Sequence, residues 1–196
     1  LMIGNFILII SLNEVFNLYQ KTNPFTNLFN CSFAISACMV VFNYYFGLFY
    51  ILIPLSLYIF GNNSWRSYIV SIIGLLCPII IFYFLKFNGI YLNFEKQHGI
   101  SFLNIYELKY WIILFFIICF FSAVELLIWI NKKSSKSRRC FYIIFLYLIL
   151  SISIFLFSGD SDFLLFSIAP ISIIFSNFFI YSRFRFISNL LLITFI

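Results

Sequence analysis

The sequence predicts an all-α, polytopic transmembrane helix bundle of about seven or eight spans, read here as truncated at both ends. Three observations carry that prediction. Apolar runs long enough to cross a bilayer recur with short polar breaks between them. Hydrophobic residues make up 64% of the chain and charged residues 9%, where a soluble domain has roughly 45–50% and about 25%. The basic residues fall almost entirely in every second break, the pattern of topogenic loops. A soluble fold has too little polar side chain here to cover so much apolar surface, so the expected solvent is lipid. The close spacing of the runs leaves one integral membrane domain, 1–196.

The elements follow in order. The first span is read over 2–18. It has no basic n-region and no small-residue cleavage site, so it reads as part of a span and not as a signal peptide. The break at 19–27 holds Lys21 and Pro24. Runs at 28–42 and 46–60 together are too long for one helix, since about 20 residues cross the hydrocarbon core. Asn43, Tyr44 and Tyr45 interrupt them. A tight helical hairpin turning near 43–47 is one reading; a kinked helix with a re-entrant piece is the other.

Gly61, Asn62, Asn63 and Ser64 make the next turn, and Asn63 or Ser64 is placed to cap a helix over 65–87. Pro78 removes a backbone donor within that helix, and Gly74 one turn earlier suits close approach of a neighbour. The segment 88–107 is the longest polar loop. A span at 108–130 carries Trp111 and Trp129 near its ends as interfacial anchors. The basic loop 131–139 follows, then spans at 140–157 and 163–181 around an acidic turn, then the basic turn 182–185 and a last run at 186–196. Pro170 is a second kink candidate.

Charge orients the bundle. Lys21, Arg66, Lys132, Lys133, Lys136, Arg138, Arg139, Arg183 and Arg185 fall on one side; Lys86, Lys96 and Lys109 fall on the other. The first side is expected in the cytoplasm, so the loops 19–27, 61–66, 131–139 and 182–185 face inward across the cell inner membrane. The net charge of +6 is accounted for by these loops, so no nucleic-acid partner is expected.

Candidate chemistry is sparse. Glu125 lies inside the 108–130 span. A carboxylate there is either a proton-coupling or partner-binding group or a paired charge near the basic loop. Glu14 has the same two readings beside Lys21. Asp160 and Asp162 form a D-x-D, similar to the acidic outer-loop residues of membrane-embedded sugar transferases that use lipid-phosphate donors; a solvated turn is the plainer reading. These three carboxylates, Glu125, Asp160 and Asp162, are the weak catalytic candidates. Lys132, Lys133, Lys136, Arg138 and Arg139 could hold anionic lipid head groups as well as set topology. His98, the single histidine, sits in an outer loop without an evident partner. The five cysteines form no CxxC and are read as free. No metal or cofactor is expected.

The stretch Asn63-Ser64-Trp65-Arg66-Ser67-Tyr68-Ile69-Val70-Ser71-Ile72-Ile73-Gly74-Leu75-Leu76-Cys77-Pro78 resembles the W-R helix start of an uncharacterised family of polytopic inner-membrane proteins of Bacteroidota. The 29–33 region, the basic loop before Cys140 and the Ser176-Asn177 to Arg183-Phe184-Arg185 segment are similar in order and spacing. The chain departs from that pattern at Asn43-Tyr44-Tyr45, where a Pro-containing turn is expected, and at Cys77. The resemblance implies further sequence on the N-terminal side and carries over no catalytic residue. The expected function is a non-enzymatic subunit or scaffold of an envelope-associated complex, with the bilayer, anionic lipid and a membrane protein as partners. The alternative is a membrane-embedded transferase or transporter acting on a lipid-linked or hydrophobic substrate.

Overall fold

The computed structural model describes residues 2–19, 24–88, 122, 124, 134–158 and 161–181. Those residues form helices joined by short turns, without strands: α1 (Met2–Phe16), α2 (Phe25–Val41), a 3-10 segment (Tyr44–Ile51) running into α3 (Leu52–Phe60), α4 (Trp65–Phe87), α5 (Ser135–Ser158), a 3-10 turn (Ser161–Leu164) and α6 (Leu165–Tyr181). By length and composition, α4 and α5 are apolar enough to cross a membrane.

Pairwise contacts set the directions. Gly4 of α1 lies against Phe42 and Phe46, while Cys31 donates to the carbonyl of Ser11 further along, so α1 and α2 are antiparallel. Asn43 accepts from the Tyr45 amide at 3.2 Å and starts the 3-10 segment. The chain turns back there, since Gly47 packs on Met39 and Asn62 reaches the Leu18 carbonyl at the far end of α1. This matches the hairpin reading of 28–60. The returning limb differs from a plain helix: its first eight residues are 3-10 and the next nine α-helical. At about 2.0 and 1.5 Å per residue this limb reaches roughly 30 Å, some 4 Å more than an all-α limb.

α4 runs parallel to α2. Pro24 and Phe25 share a groove with Ser64 and Ser67, and further along Ser36 donates to the Leu75 carbonyl at 2.6 Å. The helix is capped by Ser64, whose hydroxyl accepts from the Ser67 amide, and it continues through Pro78. Its buried residues are Ser67, Ser71, Gly74 and Pro78. A Cβ on Gly74 would lie 2.9 Å from both the Phe29 carbonyl oxygen and the Ser32 Cβ, so this glycine sets the spacing of α2 and α4. The other face of α4 exposes Ile72, Ile73, Leu76, Ile80, Ile81, Phe84 and Phe87.

α5 antiparallels α3, with Arg139 at the Phe60 carbonyl and Tyr147 against Phe49. α6 returns along α5, with Ile174 on Ile144, and lies parallel to α1, with Asn5 donating to the Leu165 carbonyl at 2.9 Å. An aromatic knot of Phe46, Phe49, Tyr147, Phe163 and Phe166 joins the 3-10 segment to α5 and α6; the Phe46–Phe166 and Phe49–Tyr147 centroids are both 4.9 Å apart.

Two helix starts, those of α2 and α5, differ from the sequence reading. α2 starts at Phe25, inside the expected loop 19–27, because Pro24 with φ −79° is set for a helix start. α4 starts at Trp65, as the helix reading over 65–87 expects, which leaves Arg66 in its first turn although the loop is bounded at 61–66. α5 starts at Ser135, so Lys136, Arg138 and Arg139 occupy its first turns and not a loop 131–139. Ser134 caps that start, with the Ser137 amide 3.5 Å from its hydroxyl, and lysine and arginine are good helix formers.

Candidate functional site

The basic residues among the described residues lie at the ends of the helices. One end of the bundle collects the last turns of α1 and α3 and the first turns of α2, α4 and α5. Arg66, Lys136, Arg138 and Arg139 all lie in those first turns of α4 and α5. At the other end Lys86, in the last turn of α4, is the one basic residue among the described residues.

Arg139 organises the basic end. Its Nη1 donates to the Phe60 carbonyl at 3.0 Å. That carbonyl belongs to the last turn of α3, where backbone acceptors lack an i+4 donor and the helix dipole favours a cation. In its own helix Arg139 sits near the positive end of the dipole, where a cation is disfavoured, and the reach to α3 offsets this. Gly61 follows directly. It ends α3 at φ +78°, the left-handed region that favours glycine, and a Cβ there would be only in ordinary contact with Nη1, 3.8 Å away.

Tyr19 lies under the cluster. Its ring is 5.8 Å from the Arg139 Cζ and 5.9 Å from the Lys136 Nζ, and it meets the Phe60 ring edge-on at 5.5 Å. Each cation–ring contact at such a site contributes about 0.5–1 kcal/mol. Arg66 lies over its neighbour Trp65 at 5.9 Å. Beside the cluster an open groove of about 350 Å³ is bordered by Pro24, Phe25, Asn62, Asn63 and Ser64. Several of its polar groups are engaged: Asn62 donates to the Leu18 carbonyl, Asn63 accepts from the Tyr68 hydroxyl, and Ser64 caps α4.

Of the residues singled out in the sequence, Lys136, Arg138 and Arg139 come together at this end. Lys132, Lys133, Glu125, Asp160, His98, Lys21, Trp111, Trp129 and Cys119 lie outside the described residues, as do the span read at 186–196 and, apart from Ser122 and Val124, the span read at 108–130. Asp162 falls in the 3-10 turn Ser161–Leu164. Glu14 is half-buried in the last turn of α1. Cys31, Cys38, Cys77 and Cys140 are free thiols. Among the described residues no three His, Cys, Asp or Glu side chains group closely enough to hold a metal. Tyr50 bonds the Ser71 hydroxyl at 3.0 Å, joining the 3-10 segment to α4, while Tyr44 and Tyr58 are exposed.

Sequence reasoning missed the partners Tyr19, Phe60 and Gly61. The signal available was Gly61 directly after an apolar run, which marks a helix end with open carbonyls. Which cation fills that end, 79 positions away, carries no local signal. Chemically, the arrangement presents fixed positive charge beside aromatic rings, suited to a phosphate diester or another anion. Comparison of the chain with protein-family models, with curated proteins and with solved structures finds no match.

Proposed function

We propose that the chain is a multi-pass protein of the cell inner membrane, with about seven or eight spans in full and its basic end in the cytoplasm. It acts there as a non-enzymatic subunit or scaffold of an envelope-associated complex. The observation that carries the membrane reading is the inversion of α4. This helix buries Ser67, Ser71, Gly74 and Pro78 and turns its isoleucine, leucine and phenylalanine side chains outward. In water the large apolar face would pack inward. In lipid there is no such drive, and helices associate through small residues that let backbones approach.

Two further facts support it. The 3-10 limb stretches 17 residues of Tyr44–Phe60 to roughly the 30 Å of a hydrocarbon core. The described helices alternate in direction except α4 and α5, which are parallel; an alternating bundle needs an odd number of crossings between two parallel helices, and the run read at 108–130 supplies one. The resemblance to the Bacteroidota inner-membrane family belongs to the same proposal.

The subunit reading rests on the character of the interior. The buried polar groups are mostly serine hydroxyls returned to their own helix, as in Ser32 to Leu28, Ser56 to Ile53 and Ser151 to Tyr147. Such bonds satisfy the hydroxyl and leave little for a substrate. The test is extraction of the tagged full-length protein in mild detergent, followed by mass spectrometry of what copurifies. A stoichiometric membrane-protein partner is expected. Recovery of the protein alone, together with loss of function on Asp160→Asn, Asp162→Asn or Glu125→Gln at unchanged abundance, overturns the subunit reading in favour of an enzyme or transporter.

A further inference from the structure

We infer that the basic end of the bundle is a docking surface for the phosphate groups of anionic phospholipids, and that its cations divide into two kinds. Arg66, Lys136 and Arg138 meet the head groups, whereas Arg139 is a positioning residue that fixes the first turns of α5 against α3. The inference rests on the membrane reading above and names the partner of that end.

Charge balance is the first ground. At this end the described residues carry Arg66, Lys136, Arg138 and Arg139 against one acidic residue, Glu14 in the last turn of α1; Asp162 lies in the 3-10 turn after α5, at the other end. Among the described residues, positive charge at this end therefore exceeds negative charge by four to one. A phospholipid leaflet rich in phosphatidylglycerol supplies a matching anionic sheet, with roughly a fivefold gain in affinity for each basic residue near its surface.

Geometry separates the two kinds. The Arg139 guanidinium is held by the Phe60 carbonyl at 3.0 Å and by the Tyr19 ring at 5.8 Å, so it is committed to protein. Arg66 and Lys136 are exposed, and Arg138 is half-exposed. Each rides on the first turns of a capped helix, so their positions are set by the fold and not by a floppy loop. Tyr19 and Trp65, packed against Lys136 and Arg66, are residue types that favour the head-group level, where a ring sits partly in hydrocarbon and partly in water. Cation and ring thus occupy one depth, at the level of the lipid phosphate.

The test uses the full chain in bilayer nanodiscs of phosphatidylglycerol and phosphatidylcholine mixed in equal parts. Lipid retained on detergent extraction is counted by native mass spectrometry. The wild-type protein is expected to retain phosphatidylglycerol in preference. The triple variant Arg66→Gln, Lys136→Gln, Arg138→Gln is expected to lose that preference by about fivefold or more. Arg139→Gln is expected to keep the preference while unfolding at a lower temperature. Raising the salt to about 0.5 M is expected to shrink the wild-type preference, which decides the matter without a variant should the triple change impair folding. Equal retention of the two lipids by the wild type overturns the inference. So does a preference that survives the triple change or high salt, for these residues then serve topology alone. Alkaline carbonate washing of membranes reads the underlying assignment separately. A chain released into the supernatant removes the membrane reading and this inference with it, whereas a pelleted chain without lipid preference removes the inference only.

Discussion

The Nη1 of Arg139 sits 3.0 Å from the carbonyl oxygen of Phe60, 79 positions earlier in the chain. One side chain thereby closes the last turn of α3 and anchors the first turns of α5. Replacing Arg139 with Gln leaves that carbonyl without its charged donor and removes a cation from the Tyr19 ring. The expected loss is about 1–2 kcal/mol, read as a lower unfolding temperature in detergent. Arg139→Lys restores charge without the planar fork and should recover only part of it. An unchanged melting temperature for the Gln variant would show that the contact is incidental.

Gly74 gives the second prediction. A methyl group there meets the Phe29 carbonyl, which is backbone and cannot swing aside, and the Ser32 Cβ. Gly74→Ala gains helix propensity of about 1 kcal/mol but forces α2 and α4 apart, at a cost of about 1–3 kcal/mol. Lower abundance and stability are expected, with a larger loss for Gly74→Val. Ile73→Ala, one position away on the exposed face, should change little. A Gly74→Ala protein as stable as wild type contradicts the packing described.

Caps at opposite ends of the bundle should act independently. Asn43 starts the 3-10 segment and Ser64 starts α4. Alanine at either position is expected to cost about 1 kcal/mol, and the double variant the sum. Chemical denaturation of the two single variants and the double variant measures this. A double variant no worse than one single variant would mean that the two turns unfold together.

Ile80 distinguishes lipid from water as the surroundings of α4. Its side chain is 62% exposed. On the surface of a water-soluble protein Ile80→Arg would be near neutral, within about 0.5 kcal/mol. In the hydrocarbon core it costs about 2.5–3.5 kcal/mol, so insertion and abundance should fall sharply. Ser64→Arg, in the turn before the same helix, has no such insertion penalty and reports only the loss of the cap.

Much of this architecture is legible along the chain, and the reasons are local. The run read at 65–87 coincides with α4, because Ser64 caps its start and polar residues follow its end. The break at 43–45 is legible because three polar or amphipathic residues interrupt an apolar run. Hydropathy fails at the start of α5: it ends a span where charge begins, whereas the backbone coils on into Lys136, Arg138 and Arg139. The 3-10 stretch Tyr44–Ile51 leaves no trace either, since its side-chain pattern is apolar all round. As for the site, Arg138 and Arg139 stand out as a charged pair, but nothing near them in sequence distinguishes the arginine that grips Phe60 from the one beside it. That difference arises only when α3 and α5 pack.

Nitroxide accessibility on α4 tests most directly whether its apolar face lies in hydrocarbon. Single spin labels would be placed at Ile80→Cys and at Arg66→Cys, in full-length protein reconstituted in vesicles, with the five native cysteines replaced. Relaxation by oxygen, which concentrates in hydrocarbon, is compared with relaxation by a water-soluble nickel chelate. Oxygen is expected to dominate at position 80 and the nickel chelate at position 66. A label at position 80 that the nickel chelate reaches as readily as it reaches position 66 would place the apolar face of α4 outside the hydrocarbon and contradict the membrane reading.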